Sequence, residues 1–433
     1  MKIIVIGGGL TGIVTAYKLS CDLENKVMVY EKNGKLGGML KSYNINNYNI
    51  EEYYHHIFLS DTETLTLLQE LALHNKVKWH LAKNGYYIKN KIYPLNTPLD
   101  FLKLPNFNFK DLVRFVFLII KIKGVINFKL FDNIAAKEWV VKNSTVSVWE
   151  NFFAPLLLSK FGKNLNNISA AWLIKRIQLR SHRKWSGEIL GYIDGGFVQL
   201  VEKIKDQILK NNGEINFNAA VVEITHRDNK VKGLKLANGK YIEADKIIFS
   251  GSEYNLKKVS PGALNNTKFT PPEYQGTVCV LLGLKEKLMD GIYWLNIKDD
   301  NIPFRALIEH TNFISVEKYK NEHLVYLTYY FQDMDDGFVK MEDSKLITAY
   351  FNGLKKIFPR FDKNLVNWWK IKKEFPTAPI YETEYFDKIL PYATGVENLY
   401  ISGINSINNY PERSINGSVK TGIEVANAAL NLK

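Results

Sequence analysis

Lys2-Ile3-Ile4-Val5-Ile6-Gly7-Gly8-Gly9-Leu10-Thr11-Gly12 is the stretch on which the fold turns. Ile3 to Ile6 form an unbroken apolar run, as expected of a central parallel strand buried on both faces. Gly7-x-Gly9-x-x-Gly12 follows at once, and Ile13 to Leu19 carry a helical apolar pattern. Lys26 to Tyr30 reads as a second strand and leads into Glu31, nineteen residues beyond Gly12 (31 − 12). This is the βαβ start of a doubly wound α/β sheet. Gly7 permits the tight turn, Gly9 lets the backbone approach a pyrophosphate, and Gly12 lets helix and strand pack closely. The helix start at Leu10 and Thr11 offers free N–H groups and a positive dipole end to phosphates. Glu31, followed by Lys32, is placed to accept hydrogen bonds from an adenosine ribose, and an acid there disfavours a 2′-phosphate.

Working outward, nucleotide-type pieces recur late in the chain. Val198 to Leu209 is an amphipathic helix, and Val221 to Ile224, Val231 to Leu236 and Lys246 to Phe249 read as strands. Asn398 to Leu430 is strand, loop and helix again. The expectation is a discontinuous dinucleotide domain from 1–60, 193–262 and 391–433. A mixed α+β substrate domain is inserted, mostly helical over 61–192 and strand-rich over 263–390. With 433 residues the chain is long enough for two such intertwined domains.

Composition narrows the class. Cys21 and Cys279 are the only cysteines and form no CxxC pair, so reduced thiols in a cytoplasmic protein are expected. Fifty-seven basic residues against 44 acidic ones give a net charge of +13, which suits an anionic substrate or surface. No zinc-finger spacing or basic zipper accompanies it, so nucleic acid is not an expected partner. Neither a signal peptide nor a spanning helix is expected. Phe109 to Phe131 combines an apolar run with Lys121 and Lys123, and peripheral membrane contact through 109–131 is one reading of it.

The loop after Glu31 separates the dinucleotides. Gly37-Gly38-Met39 places a Gly-Gly pair six and seven residues beyond the acid, which resembles the amine oxidase and protoporphyrinogen oxidase family of flavoproteins. The resemblance implies FAD in a Rossmann-like, glutathione-reductase-type domain, with the pair beside the pyrophosphate and flavin. Many relatives carry arginine where this chain has Met39. Gly195-Gly196-Phe197 is similar to the family's Gly-Gly-aromatic segment, and Val221 to the strand whose backbone meets adenine. Leu399 to Gly403 resembles the late flavin strand, with Asn405 the nearest polar substitute for an absent acid. Asn416-Gly417-Ser418-Val419 resembles the start of the closing helix, with Asn416, Ser418 and Val419 toward the flavin. No cysteine lies near Gly403, so the FAD is expected to be non-covalent.

For the substrate side, Glu51-Glu52-Tyr53-Tyr54-His55-His56 gathers acids, phenols and imidazoles in six residues. His55 or His56 is a candidate proton carrier, since a free imidazole titrates near neutrality, and Tyr54 a candidate substrate contact. No third ligand stands nearby in sequence, and no metal is expected. His310, Asn312 and Arg413 fall in stretches similar to the redox branch of the family. Ile168 to Arg180 is similar to the substrate segment of UDP-galactopyranose mutase, which makes Arg176 and Arg180 candidate phosphate binders. The leading expectation is an FAD-dependent oxidoreductase that oxidises a C–N or C–C bond by hydride transfer. The alternatives are a mutase-like isomerase using reduced FAD and a non-catalytic flavin-binding protein.

Overall fold

In the computed structural model, residues 1–181, 183–184, 187–265 and 269–431 are described. A few positions of the 61–192, 263–390 and 391–433 spans lie outside them. Strand β1 (Lys2–Ile6) is followed by helix α1 (Leu10–Ser20) and strand β2 (Lys26–Tyr30). These belong to a five-stranded sheet in the order Glu214–Asn216, β2, β1, Lys246–Phe249, Leu399–Ile401. Every pairing in it is parallel. The unbroken apolar run of β1 follows from this central place. Ile3 and Val5 pack with Ile13, Val14, Leu200 and Val419 on the helical face. Ile4 and Ile6 pack on the other face with Ile224, Leu234 and Ile242 of a three-stranded antiparallel sheet. The sheet is thus a middle layer between helices and a β-meander, in an α/β fold that also contains mixed sheet.

The second large sheet has seven strands. It takes its long strands from Tyr274–Leu284, His323–Phe331 and Val366–Pro379, and its far edge from Asn84–Ile88 and Lys91–Pro94. Asn84–Ile88 pairs parallel with Trp294–Lys298, so both inserted segments contribute to one sheet. Helices between 109 and 179 pack around Trp139, Trp149, Phe161 and Trp172 in a separate apolar cluster. Strands Val77–Ala82 and Gly187–Ile193 form an antiparallel pair inside the span expected to be mainly helical.

Candidate active site

The two glycine loops meet. Gly37 N–H donates to Gly8 O at 2.8 Å, and a Cβ on Gly38 (φ 57°) would stand 2.9 Å from Gly9 Cα. A Cβ on Gly12 would stand 2.1 Å from Gly7 O. Gly9 differs from both. Its φ of −69° is open to any residue, and nothing lies nearer than 4.0 Å to a Cβ there. Only glycine brings the backbones this close, yet space remains above Gly9. Helix α1 has no side-chain cap, so the N–H groups of Leu10, Thr11 and Gly12 are free to meet an anion.

Glu31 is buried with Oε2 on Gly8 N–H (2.7 Å) and Oε1 on both Asn33 N–H (2.9 Å) and Asn33 Nδ2 (2.6 Å), which leaves capacity on Oε2 for a further donor. Ala219 N–H donates to Glu31 O, bringing the strand of Val221 alongside. Lys32 is exposed, and Met39 is half-buried in the Gly-Gly loop. Ser42 Oγ and Ser402 Oγ, flanking the Gly-Gly loop and Gly403, are buried hydroxyls with no hydrogen-bond partner among the described residues. Orphaned hydroxyls beside a glycine cradle fit a bound dinucleotide.

Other expected contacts are engaged elsewhere. Asn405 accepts from Tyr385 and donates to Lys388 O, so both its amide oxygen and its amide nitrogen are already engaged within the protein. Asn416 accepts from Thr64 N–H at 2.9 Å and donates to Glu63, pinning the closing helix (Ile415–Leu430) to helix Thr62–Glu70. Ser418 Oγ bonds Ser414 O, and Val419 is a core side chain. From these positions, contact with a cofactor falls to main-chain groups.

The second part of the site is a half-buried cluster of phenols and imidazoles. Tyr54, His55, His56 and Tyr330 are enclosed by protein yet keep accessible surface. The Tyr54 and Tyr330 hydroxyls bond each other at 2.8 Å, and Tyr54 packs edge-on against Trp294 at 4.8 Å. Tyr330 also lines a cleft of about 620 Å³ with Ala154, Leu158, Lys298 and Arg305. His55 shares Nδ1 with Tyr53 O at 2.7 Å, which leaves Nε2 as an acceptor when Nδ1 carries the proton. His56 Nδ1 is buried and has no partner among the described residues.

Burial pushes His55 down to about 4, and burial with the charges of Arg180 and Arg176 pushes His56 well below the usual histidine range. Both imidazoles are therefore neutral at physiological pH. Desolvation and neighbouring guanidinium groups disfavour the cation, which moves both rings away from the near-neutral titration of a free imidazole.

Cations gather on another wall. Glu412, next to Arg413, is buried and accepts from Trp172 Nε1 and from Arg176 at 3.2 Å, with Lys160 at 3.5 Å. Arg413 lies close enough to act electrostatically on His55, Tyr330 and Lys160, and its side chain forms no ion pair among the described residues. Arg176 and Lys160 thus share one carboxylate, and Arg413 adds a third cation nearby. Burial lowers Lys160 to about 8, Glu412 pulls it back up, and Arg176 and Arg413 push it down. Arg180 differs from this group. It is held by both oxygens of Glu188 at 3.1 Å and stacks over Trp294, so its charge is already matched. His310 and Asn312 are placed apart from this wall. His310 bonds Tyr319, and Asn312 donates to Met289 O and Ile292 O. Lys160 and Tyr330 carried no local sequence signal, because they come from helix Ala154–Phe161 and strand His323–Phe331, remote from every motif.

The glycine cradle, the parallel sheet and the half-buried cluster beside it define an α/β protein suited to a dinucleotide cofactor. Residues 10–430 match the model of the family described as flavin containing amine oxidoreductase, and the chain belongs to that family. Its cofactor is FAD, and the family is one of enzymes. Mitochondrial protoporphyrinogen oxidase of Nicotiana tabacum is 32% identical over 105 residues, covering 24% of this chain and 21% of the tobacco protein. The chain therefore spans about a fifth of the curated relative it matches. A structure from Exiguobacterium sp. 255-15, provisionally named protoporphyrinogen oxidase, superposes with a TM-score of 0.78 at 16% identity, covering 99% of both chains. Reduced UDP-galactopyranose mutase superposes with 0.74 at 16% identity, over 100% of this chain and 96% of that one. At such identities the two structures establish the fold.

Proposed function

We propose that this protein is an FAD-dependent oxidoreductase that oxidises a C–N or C–C bond of a small anionic molecule. In this reading 1–60, 193–262 and 391–433 form a Rossmann-like, glutathione-reductase-type domain for non-covalent FAD. The inserted spans 61–192 and 263–390 form the substrate domain. FAD supplies an acceptor for a hydride, with oxygen or another acceptor taking the electrons on. The chain supplies the rest. His55 Nε2 presents a neutral nitrogen to the substrate, with the neutral His56 ring packed beside it. Tyr54 and Tyr330 fix one side of it, and Arg176, Arg413 and Lys160 hold a carboxylate or phosphate on the other.

The observation that carries this reading is the excess of cations over Glu412 beside two neutral imidazoles. A cationic amine is disfavoured there, and an anion is favoured. Candidate carboxylates and their methyl esters, supplied anaerobically, test it. Bleaching of the flavin absorbance by the acid, with weaker response to the ester, is the expected outcome.

A second reading rests on the same cations, since Arg176 and Arg413 also suit a diphosphate. A mutase-like isomerase turns over a UDP-sugar only after prior reduction with dithionite, and shows no bleaching. That result replaces the redox reading.

A further inference from the structure

Helix Phe109–Lys123 has an inner face of Leu112, Phe115, Leu118 and Ile122, all buried. Its outer face is apolar as well. Phe109 (70% exposed), Val113, Val116, Phe117 (62%) and Ile120 (61%) recur at helical spacing and point away from the protein. Ile126 (90%) and Leu130 (71%) extend the patch just beyond the helix. Chains exposed to this degree protrude and do not line a groove. Contiguous apolar surface of this kind marks an interaction site.

Charge selects the partner. Between 99 and 130 stand six basic residues and two acidic ones. Lys110, Arg114, Lys121, Lys123 and Lys129 are exposed. Asp100 and Asp111 are both buried, engaged in capping boxes at the starts of their helices. The accessible face is therefore apolar and cationic, with no carboxylate to offer a basic partner. A second copy of this chain would bring like charge against like.

We propose that this face docks on an anionic lipid bilayer. Protruding aromatic and aliphatic side chains enter the fluid acyl boundary without needing a complementary groove, and the lysines reach headgroup phosphates. Among the described residues no helix is long and apolar enough to cross a membrane, and this one has 15 residues. The docking is thus interfacial. The face is joined to the cation wall, because Gln178 of the helix that carries Arg176 donates to Ile122 O and Val125 O, each at 2.8 Å.

Co-sedimentation of the FAD-loaded protein with vesicles tests this. The vesicles contain either equal parts of phosphatidylglycerol and phosphatidylcholine or phosphatidylcholine alone. Binding is expected on the anionic vesicles at low salt, with much less on the neutral ones. The double variant Phe117→Ser/Ile120→Ser should weaken it at least about tenfold. Lys121→Gln/Lys123→Gln should weaken it by about fivefold per lysine, and added salt should mimic that loss. Flavin content and thermal midpoint should stay unchanged, since all four side chains are exposed. Three results would overturn the proposal: no binding to anionic vesicles at low salt, binding indifferent to both double variants, or a dimer in solution that Phe117→Ser/Ile120→Ser dissolves.

Discussion

Gly9 and Gly12 lie three residues apart and are required for different reasons. A side chain on Gly12 collides with Gly7 O, inside the protein itself. A Cβ on Gly9 meets nothing nearer than Gly38 Cα at 4.0 Å, so a side chain there collides first with whatever lies across the loop. Gly9→Leu should therefore fold with an unfolding free energy near that of the apoprotein, yet purify without FAD. Gly12→Leu should lose both stability and flavin. Urea unfolding of the two apoproteins, read beside their flavin absorbance, separates the cases. A Gly9→Leu protein with full flavin would remove the pyrophosphate from this loop. Lys160 offers a second test. Its pKa near 8 means the cation, and with it anion binding, fades above that pH. KM for a carboxylate substrate should rise above about pH 8. Glu412→Gln removes the charge that favours the cation, so the rise should begin at lower pH. The glycine loops were legible because their requirement is local backbone geometry. The cation wall was legible only in part: Arg176 and Arg413 stood in recognisable stretches, but their meeting with Lys160 and the sharing of Glu412 exist only after folding. The engagement of Arg180 by Glu188 and of Asn405 by Tyr385 was not legible, since residue type gives no sign of whether a partner is already present.

At the scale of elements, the closing helix joins cradle to substrate side. Ser414 caps it by accepting from Gly417 N–H at 2.9 Å, and Asn416 pins its first turn to helix Thr62–Glu70. Ser414→Ala should cost about 1 kcal/mol of unfolding free energy. It should also raise the dissociation constant for FAD, because the loosened first turn no longer fixes its N–H groups. Chemical denaturation with flavin titration measures both, and an unchanged FAD affinity would separate this helix start from the cofactor. The helix itself was readable after its strand and loop, as were β1, α1 and β2. Strands Val77–Ala82 and Gly187–Ile193 were not. Each is short, and its pairing partner lies about a hundred residues away, so the pattern that identifies them as strands exists only once they meet.

Across the whole molecule, burial of ionisable groups sets opposing pH dependences. His55 is lowered to about 4 and His310 to about 3, both by desolvation. Between those values and the ordinary histidine pKa the unfolded chain binds more protons than the native one, so stability falls as the solution is acidified. Desolvation acts the other way on carboxyls, raising Asp61 to about 6 and Glu309 to about 7. There the native state holds the extra proton, and stability falls as pH rises through the same range. Between about pH 5 and 6 the two sets oppose each other, so the unfolding free energy of the wild type should change less with pH than either set alone would make it. Glu309 stands away from the cradle, accepting from the N–H groups of Leu288 and Met289. Glu309→Gln deletes one opposing proton without touching a histidine. Whatever its effect on absolute stability, its curve should slope toward acid loss by about 1.4 kcal/mol per pH unit more than the wild type in this window. Urea midpoints at several pH values, on FAD-loaded protein throughout, give both slopes. Parallel curves would mean that Glu309 is already ionised at pH 5 in the folded protein, and that its two N–H donors outweigh its burial.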